Sequence, residues 1–369
     1  MKILYFINGL NYKGGMARIV VDKANYLADK FHHDVTICVA NDVESSAYNL
    51  SRNVKLCKIG GGNQLNTNSL RKIVGCFTQI KNISRLLNEI KPDIVVNTQT
   101  QVVTWTLPFI RRDIPKIMEI HFSYLGMEYN LNDKSRLFKT LYFAVAKSIY
   151  RRYGRFVILT DEDRHYWNLK NMVVINNFTQ LSTDRLSDLS SKRIICVARY
   201  HVQKRLDLLI NAWAKIHDGH NDWKVEVFGM GPDKATLQSL IDKLGLTDSF
   251  ILNDAVDDVK SEYLKSSIFA LTSEHEGFGL VLLEAMTVGL PICMFNIVGV
   301  GWAYNNGQTA LACDFGNTEN FAKNLEKLIE SPHLRLKLRN NALKELPKYS
   351  IDHIMSQWND LFIKCCNNA

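Results

Sequence analysis

Two glutamates, Glu276 and Glu284, stand with seven residues between them around a Gly-x-Gly turn, in the segment Glu276-Gly277-Phe278-Gly279-Leu280-Val281-Leu282-Leu283-Glu284. The segment follows an apolar, strand-like run, IFALTS (268–273), and leads into an apolar helical one. Glycines at such a junction strip side chains from a helix start. The first amide groups of a helix have no acceptor within it and carry the positive end of its dipole, so the place suits a phosphate. A carboxylate aimed at phosphate is repelled. Glu276 and Glu284 are therefore read as acceptors for hydroxyl groups on either side of a bound phosphate or diphosphate.

A second loop, Arg199-Tyr200-His201-Val202-Gln203-Lys204-Arg205, follows the run RIICVA (193–198). Cations at the mouth of a buried strand suit a pyrophosphate, with Arg199 as a two-pronged clamp and Lys204 as a point charge. Arg205 is equally well explained as part of a solvated basic loop. Gly14 and Gly15, in Lys13-Gly14-Gly15-Met16, open the first helix and let a ligand approach the backbone. This is not a dinucleotide fingerprint: there is no GxGxxG, and Asp22 comes too early for its ribose acid. The loop Phe228-Gly229-Met230-Gly231-Pro232 could line a flat base. Gly60-Gly61-Gly62 lacks a strand–helix setting and reads as a flexible loop. His121 ends the run KIMEIH (116–121), where an imidazole can bond a substrate hydroxyl or support developing charge. No Ser-His-Asp or Cys-His nucleophile arrangement emerges from spacing.

The elements that must position these residues alternate. Short continuous apolar runs at 2–7, 34–40, 93–98, 116–121, 156–160 and 172–176 read as strands buried on both faces, with helices at 16–30 and 70–90 among them. The pattern repeats with strands at 193–198, 224–229, 250–255, 268–273, 291–295 and 309–313. Helices are expected near 205–217, 233–244, 258–266, 279–288, 319–331, 333–345 and 351–365. This predicts an α/β fold of two doubly wound, Rossmann-like domains, 1–178 and 191–347, joined by the polar stretch 176–191 and facing across a cleft that holds the ligand. The closing helix, 351–365, carries Trp358 and Phe362 on an apolar stripe.

Composition bounds the function. A chain of 369 residues with 46% hydrophobic and 22% charged residues is globular, and its length suits two domains. No apolar run approaches the roughly 20 residues of a membrane span, and the start reads as a strand rather than a signal peptide. The eight cysteines show no metal-ligand spacing and are expected as buried free thiols in a reducing compartment. Residues 1–180 hold 25 Lys+Arg and 14 Asp+Glu, a charge of +11; residues 181–369 hold 20 and 23, a charge of −3; together they give the chain's +8. The basic half calls for a polyanionic partner. Nucleic acid is disfavoured, because the cations do not interleave with aromatics in any RNA-binding pattern.

Taken together, these loops resemble the retaining glycosyltransferases of family 4, which have the GT-B architecture, and the resemblance covers nearly the whole chain. Gly14-Gly15 is similar to that family's N-terminal Gly-Gly loop, and the tail within 349–366 is similar to the helix that crosses back to the first domain. Arg199 and Lys204 match its diphosphate-binding cations, and Glu276 to Glu284 its E-x7-E signature. The resemblance implies a nucleotide-sugar donor, with a UDP-sugar preferred, and neither a metal nor another cofactor. It implies that Glu276 binds hydroxyls of the transferred sugar and Glu284 those of the ribose. Backbone groups at Gly277, Phe278, Gly279 and Leu280 would hold phosphate and sugar, residues near Gly229 and Val256 would line the base, and His121 would lie near the sugar. The acceptor would attack on the face the nucleotide leaves, keeping the anomeric configuration. One departure stands out. Where the family has a Gly-rich turn and then an acidic residue, this chain reads Asn296-Ile297-Val298-Gly299-Val300-Gly301-Trp302-Ala303.

Residues 134–155 form a cationic amphipathic stretch that could lie on anionic lipid, with a glycan or a lipid-linked sugar as acceptor in cell-surface polysaccharide assembly. A cytoplasmic protein in peripheral contact with the plasma membrane is expected. Two other classes share much of this pattern: a non-hydrolysing sugar-nucleotide epimerase, and a nucleotide-sugar-binding module without transfer activity.

Overall fold

The computed structural model describes residues 1–11, 14–40, 46–60, 69–98 and 101–367. Lys13 and the Gly61-Gly62 pair lie outside the described residues. The chain divides into two compact units, Met1–Asn177 with Ile351–Ala369, and Phe178–Ser350.

The first unit runs β1 (Lys2–Ile7), α1 (Gly15–Asp29), β2 (Asp34–Val39), β3 (Val54–Lys58), α2 (Ser69–Ile90), β4 (Ile94–Asn97), α3 (Gln101–Thr106), β5 (Lys116–Glu119), α4 (Tyr124–Tyr129), α5 (Arg136–Tyr150), β6 (Arg155–Ile158), α6 (Asp161–Trp167) and β7 (Met172–Val174). Its seven strands form one parallel sheet in the order β3-β2-β1-β4-β5-β6-β7. The order reverses between β1 and β4, which makes a crevice beyond their carboxyl ends. β1, β4 and β5 are buried along most or all of their length, as continuous apolar runs require.

β3 is absent from the sequence-based expectation. It is the edge strand: Val54 is buried while Lys55 and Leu56 face solvent, so the buried-run signal is missing. Its register places Cys57 opposite Cys38 of β2, with Cα atoms 4.6 Å apart, and the two are disulfide-bonded. This corrects the expectation of free thiols throughout. It arises because adjacent parallel strands bring together residues 19 apart in sequence.

The second unit runs β8 (Arg193–Val197), α7 (Leu206–Trp213), β9 (Lys224–Phe228), α8 (Lys234–Lys243), β10 (Phe250–Asn253), α9 (Val259–Leu264), β11 (Ile268–Leu271), α10 (Leu280–Thr287), β12 (Ile292–Asn296), β13 (Ala310–Asp314), α11 (Thr318–Glu330) and α12 (Pro332–Glu345). Its six strands are parallel in the order β10-β9-β8-β11-β12-β13. One face packs Leu209, Ile210 and Trp213 of α7 with Phe321 and Leu325 of α11. The other packs Tyr263, Leu282, Met286 and Val300. The polar joining stretch is pinned to this unit: the Ser187 amide donates to the Val288 carbonyl at 2.9 Å, and Arg339 and Arg335 donate to the carbonyls of Ser187 and Leu189 at 2.8 and 3.2 Å.

The chain then returns as α13 (Ile351–Asn367) to the first unit. There Asp352 accepts from the Tyr26 hydroxyl, and His33 Nε2 lies 2.8 Å from Asn359 Oδ1. Among the described residues, no helix is long and apolar enough to cross a membrane.

Candidate active site

β8 and β11 are neighbours, and the strand order of the second unit reverses between them. The loops that follow these two strands are therefore forced side by side at the place where open α/β sheets bind ligands. They are the loops with Arg199 and Lys204 and with Glu276. Hydrogen bonds join them, among them the Thr272 hydroxyl to the Lys204 carbonyl at 3.0 Å, the Glu274 amide to the Gln203 carbonyl at 2.9 Å, and the Gln203 side-chain amide to the His275 carbonyl at 2.9 Å. The Lys204 ammonium lies 2.6 Å from Glu276 Oε1, which also accepts from the Ser273 hydroxyl at 2.7 Å. Lys204 and Glu276 side chains are mostly buried, so the pair is shielded from salt. Arg199 is exposed, with one long contact at 3.4 Å to Gln203 Oε1. Arg205, in contrast, is a fork on Asp207, at 3.0 and 2.9 Å.

The turn from Glu276 to α10 is built on glycines with separate tasks. Gly279 is the N-cap of α10 at φ +69°, a conformation that favours glycine, and it has no side chain to cap the helix. The start of α10 is thereby left to be capped by something else. Gly299, at φ +96°, fits beneath the turn: a Cβ there would lie 2.3 Å from the Glu276 carbonyl oxygen. Trp302 secures the next residue. Its indole N–H donates to the Phe278 carbonyl at 2.8 Å, and its ring stacks on Phe278 with centroids 4.5 Å apart and planes within 6°. Tyr349 closes the group, 4.8 Å from Trp302. The segment that departs from the family pattern is thus the bed on which the Glu276–Gly279 turn rests. Trp302→Phe keeps the stack and loses the bond; it is expected to raise the donor KM about tenfold, the scale of one net hydrogen bond, with a smaller change in kcat. Steady-state kinetics check this, and an unchanged KM would deny the indole its role.

Glu284 lies in the second turn of α10, is 5% exposed, and accepts from the buried Tyr263 hydroxyl at 3.1 Å. Gly229 and Gly231 follow β9. A Cβ would stand 1.9 Å from the Ala198 carbonyl oxygen at Gly229 and 2.2 Å from that of Tyr200 at Gly231. These glycines are demanded by the close approach of the Arg199 loop. Met230, between these glycines, and Val256, past β10, are exposed.

In the first unit, Gly14 caps α1 and Gly15 is its first residue; the Gly14 carbonyl accepts from Tyr48 at 3.2 Å. His121 stands two residues past β5, nearly buried, with Nε2 3.2 Å from Glu119 Oε1. A cavity of about 340 Å³ opens beyond β1, β4 and β5, lined by Asn8, Met16, Thr98, Trp105, Phe122 and Tyr142 among others. Trp105, Phe122 and Tyr142 were not singled out from the sequence. Phe122 follows a strand end, but Trp105 and Tyr142 lie within α3 and α5, where core aromatics look the same in sequence.

The family description "Glycosyltransferase Family 4" matches residues 13–182, and "Glycosyl transferases group 1" matches residues 178–345. The chain is a GT-B glycosyltransferase of the family 4 type. It is 28% identical over 366 residues to an uncharacterized glycosyltransferase of Haemophilus influenzae, covering 97% of this chain and 98% of that one. It is 24% identical to the amylovoran biosynthesis glycosyltransferase AmsD of Erwinia amylovora, covering 98% and 99%. Among solved structures, Anabaena Alr3699/HepE in complex with UDP superposes with a TM-score of 0.79 at 16% identity, covering 99% and 100%. That likeness speaks for the fold.

In this glycosyltransferase, Ser273, Gln203, Tyr263 and Trp302 fix the orientation of the residues the sequence pointed to. Sequence reasoning passed over the first three, since a single Ser, Gln or Tyr carries no spacing signal. Among the described residues, His220, Glu326 and Glu330 could share an ion, with ligand atoms within 4.8 Å of one another. They sit before β9 and at the end of α11, away from the carboxyl ends of the strands, and take no part in this site.

Proposed function

We propose that this glycosyltransferase moves a sugar, with retention of anomeric configuration, from a UDP-sugar to a hydroxyl of a glycan or lipid-linked acceptor in polysaccharide assembly. The observation that carries the donor site is the convergence, at the β8/β11 reversal, of two cations and two carboxylates on an uncapped helix start. Arg199 and Lys204 hold the diphosphate with the amides of Phe278, Gly279 and Leu280 leading into α10, and stabilise the charge that develops as it leaves. Glu284 binds the ribose hydroxyls. Glu276 binds hydroxyls of the transferred sugar, its Oε1 already oriented by Lys204 and Ser273. Exposed Met230, next to Gly229, and Val256, past β10, line the base, and His121 bonds a sugar hydroxyl. The bond from the anomeric carbon to the β-phosphate oxygen breaks with its electron pair going to the phosphate. The acceptor oxygen bonds to that carbon on the same face, and its proton goes to the departing phosphate. The cations and the helix start supply the countercharge, so no metal is assigned to the step.

UDP is preferred because the HepE structure of the same fold holds UDP, and polysaccharide assembly because the relative AmsD acts in amylovoran biosynthesis. Thermal melts with UDP- and GDP-sugars test the donor: the true donor raises Tm in proportion to the logarithm of its concentration. A GDP-sugar alone doing so would replace UDP in this reading. Measuring donor consumption with and without acceptor separates transfer from epimerisation and from mere binding.

The acceptor side rests on α5. Phe143, Ala146 and Tyr150 turn inward, while Leu137, Leu141 and Val145, spaced at i, i+4 and i+8, stand exposed. Lys134, Arg136, Lys139, Lys147, Arg151 and Arg152 lie on or beside the helix. Such a face suits an anionic lipid surface, each near-surface cation adding about 1 kcal/mol. Sedimentation with phosphatidylglycerol vesicles should pull down the wild type at low salt. Leu137→Asp/Leu141→Asp should stay in the supernatant with UDP-dependent stabilisation intact. Equal sedimentation of both would exclude α5 as the contact.

A further inference from the structure

Behind His121 the first unit buries an ion pair that its fold does not require. Lys23 lies on the inner side of α1 and Glu119 ends β5; both side chains are 1% exposed. The Lys23 ammonium donates to both carboxylate oxygens of Glu119. It also lies 3.9 Å from the ring centroid of Trp358, on α13, and 5.6 Å from that of Tyr5. Burial alone would push the Glu119 carboxyl up, but Lys23 and then His121 outweigh it and hold it at about 2. Burying two opposite charges is costly, and apolar residues of the same volume often pack at least as stably. The neighbours the ammonium faces, the rings of Tyr5 and Trp358, would accept an apolar pair.

What the pair does provide is a fixed negative charge beside His121. Nε2 of the ring is buried, lies 3.2 Å from Glu119 Oε1, and has no well-aligned hydrogen-bond partner. A small rotation of the ring would turn that contact into a bond.

We propose that Glu119 is a positioning residue for His121: its carboxylate, kept ionic by Lys23 under the Trp358 ring, holds the imidazole proton on Nε2 and leaves Nδ1 as the acceptor for a substrate hydroxyl. A neutral imidazole carries its N–H on one nitrogen and its lone pair on the other, and the partner of the first decides which is which. Through Trp358 the returning helix α13 is part of this support. The inference rests on the reading above that His121 touches a sugar hydroxyl.

The test uses the full-length enzyme with donor and acceptor. Glu119→Gln alone strands the Lys23 ammonium and can fail to fold, so the decisive variant is Lys23→Met/Glu119→Met, which replaces both charges by apolar groups of similar volume. It is expected to melt at or above the wild-type temperature, keep the donor KM, and lose at least tenfold in kcat. Its His121 ¹⁵N resonances, read with the ring neutral, should shift from the Nε2–H tautomer to a mixture. A double variant with wild-type kcat and an unchanged tautomer overturns the proposal and leaves the pair a packing device. His121→Ala separates the two claims: its turning over at the wild-type rate would overturn the parent reading of His121, whereas a slow His121→Ala beside a fast double variant would overturn this one alone.

Discussion

Lys204→Ala is expected to lower kcat/KM by roughly 10²–10³-fold, the scale seen when one preorganised charge-stabilising group is removed, while the melting temperature moves only slightly. The ammonium does two things at once in this structure. It supplies positive charge at the mouth of β8, and it orients Glu276 through a 2.6 Å contact. Losing it removes countercharge from the leaving diphosphate and frees the Glu276 carboxylate to move, with the Ser273 hydroxyl still bonded to it at 2.7 Å. The fold survives because the loop itself is held by backbone bonds, Thr272 and Glu274 pairing with the Lys204 and Gln203 carbonyls. Steady-state kinetics with a thermal melt on the same preparation check this. Wild-type turnover by a folded Lys204→Ala protein would remove the cation from the mechanism.

Glu284→Ala should raise the donor KM roughly 10²-fold or more, because two hydrogen bonds from hydroxyls to one ionised carboxylate contribute about 1.5–3 kcal/mol each. The carboxylate is buried on α10 with the Tyr263 hydroxyl on Oε2, so it is already aimed and gains little strain on binding. The partner is identified by a cycle of protein and ligand changes. A 2′- or 3′-deoxy ribose on the donor should be penalised by the wild type and tolerated by Glu284→Ala. Equal penalties in both proteins would show that Glu284 contacts something else.

Most strands and helices of both sheets were legible from their apolar runs, because parallel strands buried on both faces have no alternation to confuse them. The edge strand β3 was not, for the converse reason: Lys55 and Leu56 lie in solvent, and the Cys38–Cys57 bond was hidden with it. The charged positions at the β8/β11 reversal were legible because strand ends with Arg, Lys and Glu have few structural explanations. The residues that hold them were not. Gly299 acts through a single close approach to the Glu276 carbonyl, and Trp302 through an indole on a loop distant in sequence. Trp302 departs from the family pattern, and its role lies in the stack on Phe278, a contact that sequence does not show. Lys23 is the sharpest case. A lysine in an amphipathic helix reads as a solvated charge, and only the fold sets it against Glu119.

The account depends on where a diphosphate settles on the second unit. Crystals grown with UDP, or soaked with a non-transferable UDP-sugar, decide this. The expected density has the two phosphates against the amides of Phe278 to Leu280, Arg199 and Lys204 within hydrogen-bonding distance, and the ribose on Glu284. Well-ordered nucleotide bound elsewhere, with the start of α10 still free of it, would contradict the account.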